Sequence, residues 1–337
     1  MTTTPTASSP DLGDPVRRRP LLGGRWTRFA LRRGGRLLVS LWVLVTASFL
    51  MIHLVPGDPV RASLGMTAPA DLVEAKREAL GLNDPLLTQY GHFLGNLVQG
   101  DLGSSIATQL PVADTIAQRL PATATLGGLA FLLAVAIAIP VGVGIAVLTR
   151  KGRRRRTELA FASTSVVLGS IPDFLLGVGL VYVFAVTLQW LPVAGNETAS
   201  SYVLPVIALA LGSAAVLSRI MRVEMLKVLE ADYIRTARAK RLPPLRVLLV
   251  HALPNAVTAT LTIGGLLLSS LIAGTVLVEN VFSWPGLGST IVQSITTKDY
   301  PLVQGIVIVY GLGVLLINTL VDVTLAILDP RSTIGAA

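Results

Sequence analysis

The sequence predicts an all-α polytopic membrane protein with six transmembrane helices. Three observations support this fold class: an apolar composition, six long aliphatic segments and a one-sided distribution of basic residues. The chain is 52% hydrophobic and only 14% charged, with a mean hydropathy of +0.68. Soluble domains are less apolar and carry about 25% charged residues. The composition therefore indicates a chain that lies mostly within a lipid bilayer.

Each predicted transmembrane helix is an apolar segment close to the roughly 20 residues that cross the hydrocarbon core. The six segments are residues 37–55, 122–148, 159–188, 203–222, 257–282 and 302–328. The third would be about 45 Å long at 1.5 Å per residue, which exceeds the thickness of the core. The sequence GSIPDF at residues 169–174 predicts a bend in it. Small residues such as Ala138, Gly142 and Ala146 permit close approach between helices.

Basic residues orient the predicted helices. Most of the 28 Lys and Arg residues lie in three clusters, at residues 17–36, 150–156 and 219–246. With six spans, all three clusters fall on one side of the membrane, which the positive-inside rule identifies as the cytoplasm. Both termini are then cytoplasmic. These clusters explain the formal net charge of +9, so the charge does not indicate a nucleic-acid partner.

The predicted spans divide the chain into segments. Residues 1–34 are rich in Thr, Ser, Pro and Arg and are predicted to form a disordered basic cytoplasmic tail, followed by the transmembrane domain at residues 35–336. Within that domain, residues 56–119 form an external segment. Its sequence DLVEAKREALGL predicts an amphipathic helix that ends at Gly81. Residues 223–256 form a cytoplasmic loop.

Catalytic chemistry and cofactor binding are not predicted for this chain. It has no cysteine and only three histidines, which are scattered along the sequence. None of its lysines lies in a phosphate-binding loop, and no serine lies in a Gly-x-Ser-x-Gly motif. We therefore expect no enzyme activity, no metal and no cofactor in this chain. Any nucleotide energy must come from a partner.

Three acidic residues lie within predicted spans, where an ionised carboxylate costs roughly 2.5–3.5 kcal/mol at the bilayer centre. For Asp173 and Glu279 two interpretations stay open: they line a water-filled pathway, or they lie in the outer interface without a function. Asp322 lies near the inner end of the last span. We expect it to pair with a basic loop residue or a helix N-terminus rather than with a substrate.

The loop between the fourth and fifth spans has more structure than a solvated basic loop needs. Residues 224–240 contain neither Gly nor Pro and carry a modest apolar stripe, which predicts one surface helix. Pro243 and Pro244 end that helix, and a proline suits the first turn of the next one, predicted over residues 245–253. Two short helices at an angle favour a docking surface for another protein over a solvated loop.

Several sequence blocks resemble one family of transport proteins. The block DYIRTARAKRLPPLRVLLVHALPNA looks like the cytoplasmic coupling motif of binding-protein-dependent ABC importer permeases. The blocks LGLNDPLLTQYGHFLGNLVQGDLGSS, VLVENVFSWPGLGSTIV, KDYPLVQG and LVDVTLAILDPR are similar to blocks of the first permease of the dipeptide, oligopeptide and nickel import group. The resemblance extends over about residues 33–331 and is specific for the family rather than for the cargo.

The resemblance implies a permease of the bacterial inner membrane that pairs with a second, similar permease and imports di- or oligopeptides. Two cytoplasmic ATP-binding-cassette subunits would bind ATP and Mg, and an extracytoplasmic substrate-binding protein would deliver the cargo. Nickel complexes and glutathione-like solutes are alternative cargoes. An ion-coupled secondary transporter is the rival interpretation, but the sequence shows no convincing internal repeat and no ladder of acidic residues.

Candidate residues follow from the loop, the resemblance and the acids within the spans. Residues expected to couple to the ATPase are Asp232, Tyr233, Arg235, Thr236, Ala237, Lys240, Arg241, His251, Leu253 and Pro254. Candidates for the pathway or its outer gate are Asp173, Phe174, Glu279 and Trp284.

Arg241 departs from the family pattern, which has glycine at that position. A left-handed backbone there would cost an arginine roughly 1–2 kcal/mol relative to glycine. We expect instead that Pro243 and Pro244 set the corner by fixing φ, which would make the glycine dispensable.

Overall fold

The described part of the chain folds almost entirely into helices. The structure, a computed structural model, describes residues 23–54, 59–64, 68–79 and 81–328. The α-helices are α1 Gly23–Leu54, α2 Pro59–Leu64, α3 Ala70–Ala79, α4 Leu86–Val98, α5 Val112–Thr149, α6 Arg155–Ser170, α7 Asp173–Leu180, α8 Val203–Glu230, α9 Asp232–Ala239, α10 Pro244–Arg246, α11 Leu253–Val281, α12 Leu287–Thr296 and α13 Tyr300–Leu328. Val181–Thr187 and Val247–Ala252 are π-helical continuations of α7 and α10. Within the described ranges there is no β-strand.

Five helical stretches are long and apolar enough to cross a membrane. They are Leu31–Met51, Val112–Gly152, Ala199–Glu230, Pro244–Val281 and Tyr300–Thr324. These stretches correspond to the first, second, fourth, fifth and sixth predicted spans. The all-α membrane fold predicted from the sequence is confirmed.

The predicted third span is broken. Arg155–Ser170 and Asp173–Thr187 meet at 95° and count as a sixth span only if the bent pair crosses the membrane as one unit. The bend lies within GSIPDF, as predicted. Ile171 is extended, with a ψ of 125°, because the residue before a proline is pushed out of the α conformation. Pro172, which has no N–H to donate, immediately precedes α7.

Helix α8 lies at the centre of the bundle and packs against α5, α6, α7 and α11. Small residues allow α5 to approach it closely, since Ala138, Gly142 and Ala146 are all buried. A methyl group at Gly142 would lie 2.6 Å from Met221 Cβ and 2.7 Å from the Ser218 carbonyl oxygen. The predicted role of these small residues in close helix packing is confirmed.

Helix α1 packs along α13, and an ion pair joins them near their ends. The Arg33 guanidinium of α1 pairs with the Asp322 carboxylate of α13. The partner is a basic residue, as expected for Asp322, so that part of the prediction is confirmed. The basic partner lies in the first helix rather than in a loop.

One end of the bundle collects the basic residues. Helices α11 and α13 are antiparallel, because Ser269 donates a hydrogen bond to Asn318 whereas Thr275 contacts Tyr310. The start of α11 and the end of α13 therefore lie together, and the ends of α5 and α8 join them. We call this the basic end, because residues 150–156 lie there.

At the opposite end, Asp299 holds the segment that precedes α5. Its carboxylate accepts hydrogen bonds from the Ser105 hydroxyl and from the Ile106 amide, the latter at 3.0 Å. Asp299 is only 2% exposed. Because Asp299 directly precedes α13, these bonds fix the start of α13 to the external segment.

The predicted boundaries near the N-terminus need correction. Helix α1 begins at Gly23 rather than after residue 34, so part of the predicted tail is helical. Residues 1–22, which make up the rest of that tail, lie outside the described residues, as do residues 55–58 and 329–337. The predicted external helix is present as α3. Gly81 follows it with a φ of +66°, a conformation that glycine adopts at little cost.

Candidate functional site

Residues 231–253, which we call the elbow, connect α8 to α11 at the basic end. The prediction of one helix over residues 224–240 is wrong, because α8 ends at Glu230 and α9 begins at Asp232. Between them Ala231 is extended, with a ψ of 150°. The turn lets apolar residues on both sides of it face the bundle. Asp232 follows directly, in the first turn of α9, where an acidic side chain is favoured by the helix dipole.

The inner face of α9 is apolar and buried. Ile234 is 0% exposed and Ala237 is 8% exposed. They pack in one cluster with residues of α5, α8, the elbow and α11, namely Ala146, Met221, Met225, Leu229, Val247, Ala252 and Ala256. Ala237, a predicted coupling residue, therefore faces the chain's own core. This cluster seats α9 firmly on the ends of α8 and α11.

The outer face of α9 is polar and exposed. Tyr233 is 47% exposed, and Arg235, Thr236 and Lys240 are exposed as well. Asp232 Oδ1 accepts a hydrogen bond from Arg235 Nη1 at 3.2 Å, which holds that guanidinium on the surface. The sequence-predicted residues other than Ala237 on this helix thus share one accessible surface.

Arg241 adopts a left-handed backbone conformation, with a φ of +56°. Our expectation that the prolines replace this conformation is wrong. The reason is the end of α9: the Arg241 amide donates to the Arg238 carbonyl at 2.9 Å, and the Leu242 amide donates to the Ala237 carbonyl at 3.4 Å. Such a helix ending requires a left-handed residue, which is usually glycine. The prolines act later, since Pro244 opens α10.

The second arm of the elbow, residues 244–252, runs directly into α11. It begins at Pro244, one residue before the predicted start, and continues through the π-helical turn Val247–Ala252. Pro254 has no amide hydrogen, so the regular helical ladder is interrupted at that point. His251 and Leu253 are half-buried and Pro254 is exposed. These three predicted residues lie at the base of the elbow, beside the bundle.

Hydrogen bonds join the ends of α5, α6 and α8 next to the elbow. Arg222 Nη2 donates to Glu158 Oε1 at 2.5 Å and to Thr149 Oγ1 at 3.2 Å. Arg150 Nη2 donates to the Leu229 carbonyl oxygen at 3.1 Å. Movement of the elbow would therefore be transmitted to several spans at once.

Asp173 lies inside the bundle at the break between α6 and α7. Methyl groups at Gly212 and Gly274 would lie 3.3 Å from its two carboxylate oxygens. Gly212 is about 14 Å along α8 from Val203 at 1.5 Å per residue, well away from the helix end. The carboxylate is half-buried and has no hydrogen bond or ion pair with any residue that the structure describes. Its neighbour Phe174 is 38% exposed.

Glu279 is fully buried and caps helix α12. Its Oε1 accepts a hydrogen bond from Thr123 Oγ1 at 2.8 Å. Its Oε2 accepts from the amides of Gly288 and Ser289 at 2.7 Å and 3.1 Å. These amides belong to the first turn of α12, whose dipole favours a negative charge. Glu279 therefore has a structural environment and lines no accessible surface in this conformation.

Trp284 is also enclosed, at 0% exposure. Its Nε1 donates to the Ala122 carbonyl oxygen at 3.2 Å, and its ring packs edge-to-face against Tyr202 with 4.5 Å between centroids. Of the four pathway candidates, only Asp173 and Phe174 lie at an accessible position in this structure.

Sequence profiles of known families match both halves of the chain. The profile described as binding-protein-dependent transport system inner membrane component matches residues 138–334, and the corresponding N-terminal profile matches residues 26–127. The chain belongs to this family. It is therefore a permease of an ABC importer, as the sequence blocks predicted.

Curated relatives cover nearly the whole permease. The glutathione transport system permease protein GsiC of Escherichia coli is 38% identical over 303 residues, which are 90% of this permease and 97% of that protein. The protein of the same name from Pectobacterium atrosepticum is 39% identical over 294 residues, 87% and 95% of the two chains.

Solved structures share the fold of the permease at low sequence identity. A chain of the inward-facing MetNI methionine ABC transporter superposes with a TM-score of 0.55 and 17% identity, covering 64% of the permease and 96% of that chain. A second crystal form of that transporter gives a TM-score of 0.50 and 20% identity. These matches concern the fold alone.

Two groups of the permease were not identified from the sequence. One is the Glu158, Thr149 and Arg222 network, whose members lie far apart in the chain. The other is Asp299, whose only signal was its place in the block KDYPLVQG. The sequence pattern of a charged residue directly before an apolar span indicates a membrane-interface residue. Only the tertiary contacts with Ser105 and Ile106 distinguish Asp299 from such a residue.

Proposed function

We propose that the permease pairs with a second, similar permease and imports short peptides, including glutathione-like peptides. Two cytoplasmic ATP-binding-cassette subunits bind ATP and Mg and supply the energy. A substrate-binding protein outside the cell delivers the cargo to the end opposite the basic end. Family membership and the glutathione permeases among the relatives support this assembly and this cargo class.

The geometry of the elbow is the observation on which the proposal depends. The exposed surface of α9 offers an aromatic ring at Tyr233, hydrogen-bonding groups and positive charge to a partner. The opposite surface, at Ile234 and Ala237, is packed into the bundle. A partner that moves α9 must therefore move the ends of α8 and α11 with it. Closure of the ATPase pair would in this way switch the spans between inward and outward opening.

The orientation of the permease is part of the proposal. The three basic clusters and the positive-inside rule support a cytoplasmic basic end with both termini on the same side. The ATPase subunits then meet the elbow. The external segment, which contains α3 and α4, faces the binding protein.

Asp173 is the residue that we propose for cargo contact. A carboxylate inside the bundle without a partner among the described residues is suited to a cationic group. Peptides and glutathione carry an ammonium group that fits this requirement. Phe174 lies next to it and supplies an accessible apolar surface. Nickel complexes and similar solutes are the alternative cargoes.

Charge reversal on α9 tests the coupling proposal. We expect Arg235→Glu, Lys240→Glu and a two-residue insertion after Pro243 each to reduce cargo import and cargo-stimulated ATP hydrolysis at least tenfold, with normal amounts of permease in the membrane. Lys151→Glu is the matched control, because it reverses an exposed charge at the basic end outside the elbow. Import and ATP hydrolysis are measured with the assembled importer in proteoliposomes.

Wild-type import and ATP hydrolysis in the α9 variants would contradict the coupling role.

The ion-coupled alternative is tested with the same vesicles. A proton-gradient uncoupler leaves import intact at constant ATP if the ATPase drives it, whereas import that stops with the uncoupler identifies a secondary transporter.

The proposed cargo contact is tested with Asp173→Asn. Hydrogen bonds to charged groups contribute about 1.5–3 kcal/mol, so we expect import of a free-amine peptide to fall roughly tenfold or more. Import of the same peptide with an acetylated amine should be slow in both the wild type and Asp173→Asn. Asp114→Asn, at an exposed site in α5, is the control. Equal effects of Asp173→Asn on both peptides would exclude recognition of the ammonium group.

A further inference from the structure

A cleft at the basic end combines two arginines with apolar walls. It has a volume of about 640 Å³ and lies between the ends of α5 and α8 and the elbow. Arg150 and Arg238 line it, together with apolar residues such as Val147, Leu245 and Leu248. This volume is within the range of sites that hold small ligands. The cleft does not include the exposed residues of α9 that we assign to ATPase docking.

The two arginines are not neutralised by the permease itself. Neither forms an ion pair with an acidic residue in the part of the chain that the structure describes. Partial burial and the positive charge of Arg150 lower the pKa of Arg238. Two cations thus face the same cleft and repel each other. An anion placed between them would remove this repulsion.

Arg150 has an unused hydrogen-bond donor. One of its terminal nitrogens donates to the Leu229 carbonyl oxygen at 3.1 Å. Its Nε, in contrast, is buried and has no hydrogen-bond partner among the described residues. A buried donor without a partner is unfavourable. The guanidinium groups of Arg150 and Arg238, which both line the cleft, together provide donors for an oxyanion.

The walls of the cleft indicate what kind of anion fits. Val147 lies at the end of a membrane-spanning helix, and Leu245 is 65% exposed at the start of the second arm of the elbow. A free anion would gain nothing from these apolar surfaces, whereas a lipid places an acyl chain against them. Phosphate is the charged group of most anionic lipids, and guanidinium groups bind it with paired hydrogen bonds.

We propose that the cleft binds the phosphodiester headgroup of an anionic phospholipid, with Arg150 and Arg238 as its ligands and the aliphatic residues against its acyl chains. Basic pockets at the cytoplasmic boundary of membrane proteins are suited to such headgroups. The bound lipid joins the end of α5 to the elbow. Its occupancy therefore stabilises the position of α9 on the bundle.

Lipid retention by the assembled importer tests this site. The importer is reconstituted in nanodiscs of phosphatidylcholine with or without phosphatidylglycerol, and retained phosphatidylglycerol is counted by native mass spectrometry after transfer to detergent. We expect the wild type to retain phosphatidylglycerol and to gain thermal stability from it. The double variant Arg150→Gln with Arg238→Gln should lose at least tenfold in retained lipid. Arg153→Gln with Arg155→Gln is the matched control, since it removes the same charge at exposed positions.

Two further variants keep the test decisive if the double variant fails to assemble. Arg238→Gln alone breaks no hydrogen bond within the described chain, and we expect it to reduce retained lipid several-fold. Leu245→Trp fills the apolar side while both arginines remain, and it should displace the acyl chain. Unchanged lipid retention in both variants would overturn the proposal.

Other outcomes identify a different occupant. Equal lipid loss in the Arg153 and Arg155 control would show a general charge effect and overturn the site. Equal stabilisation by inorganic phosphate or ATP in pure phosphatidylcholine would show a free-anion site and overturn the lipid. Absence of retained lipid in the complete importer, with retention by the permease pair alone, would show that the ATPase covers the cleft and would overturn the proposal.

Discussion

Glu279 and Asp299 are both buried, and each accepts hydrogen bonds from a neighbouring segment. Asp173, in contrast, is half-buried and lacks a partner within the described chain. The sequence marked Asp173 and Glu279 equally, because both are acids in apolar runs. What separates them is tertiary: a helix N-terminus and a threonine hydroxyl reach Glu279, whereas two glycines flank Asp173.

Glu279→Gln tests the structural role of this carboxylate. Losing the charge-assisted bonds should destabilise the permease by about 1.5–3 kcal/mol. The measurement is the thermal unfolding midpoint of the purified permease in detergent. Glu78→Gln at an exposed site is the control and should leave the midpoint unchanged. Equal midpoints for the two variants would contradict the capping role of Glu279.

Arg241 provides a second test at the residue scale. Its φ of +56° favours glycine. Arg241→Gly and Arg241→Ala both remove the guanidinium, but only glycine relieves the left-handed backbone. We expect the glycine variant to be more stable than the alanine variant by about 1 kcal/mol, judged by thermal unfolding. If the alanine variant is the more stable, the backbone at residue 241 is not left-handed.

Single elements of the permease were predictable where local signals were strong. Long apolar runs identified five spans, and the proline of GSIPDF located the bend in the third. The size of that bend, 95°, depends on how α7 packs against α8 and was not predictable. The turn at Ala231 was missed for the same reason. No glycine or proline marks it, and the burial of Ile234 in the cluster at the basic end accounts for it.

Packing between α5 and α8 gives a prediction with an internal control. A methyl group at Gly142 would overlap Met221, whereas one at Gly144 would meet nothing within 4 Å. Overpacking typically costs about 1–3 kcal/mol, so Gly142→Ala should lower the unfolding midpoint. Gly144→Ala should be neutral or slightly stabilising, because alanine favours helix. Equal effects of the two substitutions would show that the helices do not approach as closely as described.

At the scale of the whole molecule, family and architecture were recognisable from the sequence, because several separate blocks agreed with the hydropathy pattern. Which candidate residues are buried and which are exposed could not be predicted from the sequence. Sequence reasoning placed Ala237 with the exposed residues of α9, and Glu279 and Trp284 with the pathway, whereas all three are buried in the folded chain. Burial depends on which helices meet, and that information is absent from local patterns.

The proposed coupling to an ATPase depends on one elbow whose inner face is packed against the bundle and whose outer face is exposed. The chain contains no cysteine, so single cysteines can be introduced without background labelling. Thr236→Cys lies on the exposed face of α9, and Thr108→Cys is exposed at the opposite end of the bundle.

Cross-linking of these two positions to the ATPase subunits of the assembled importer tests the account most directly. We predict that position 236 forms a cross-linked product with the ATPase whose yield changes with bound nucleotide, and that position 108 forms none. A product at position 108, with none at position 236 in any nucleotide state, would contradict the account.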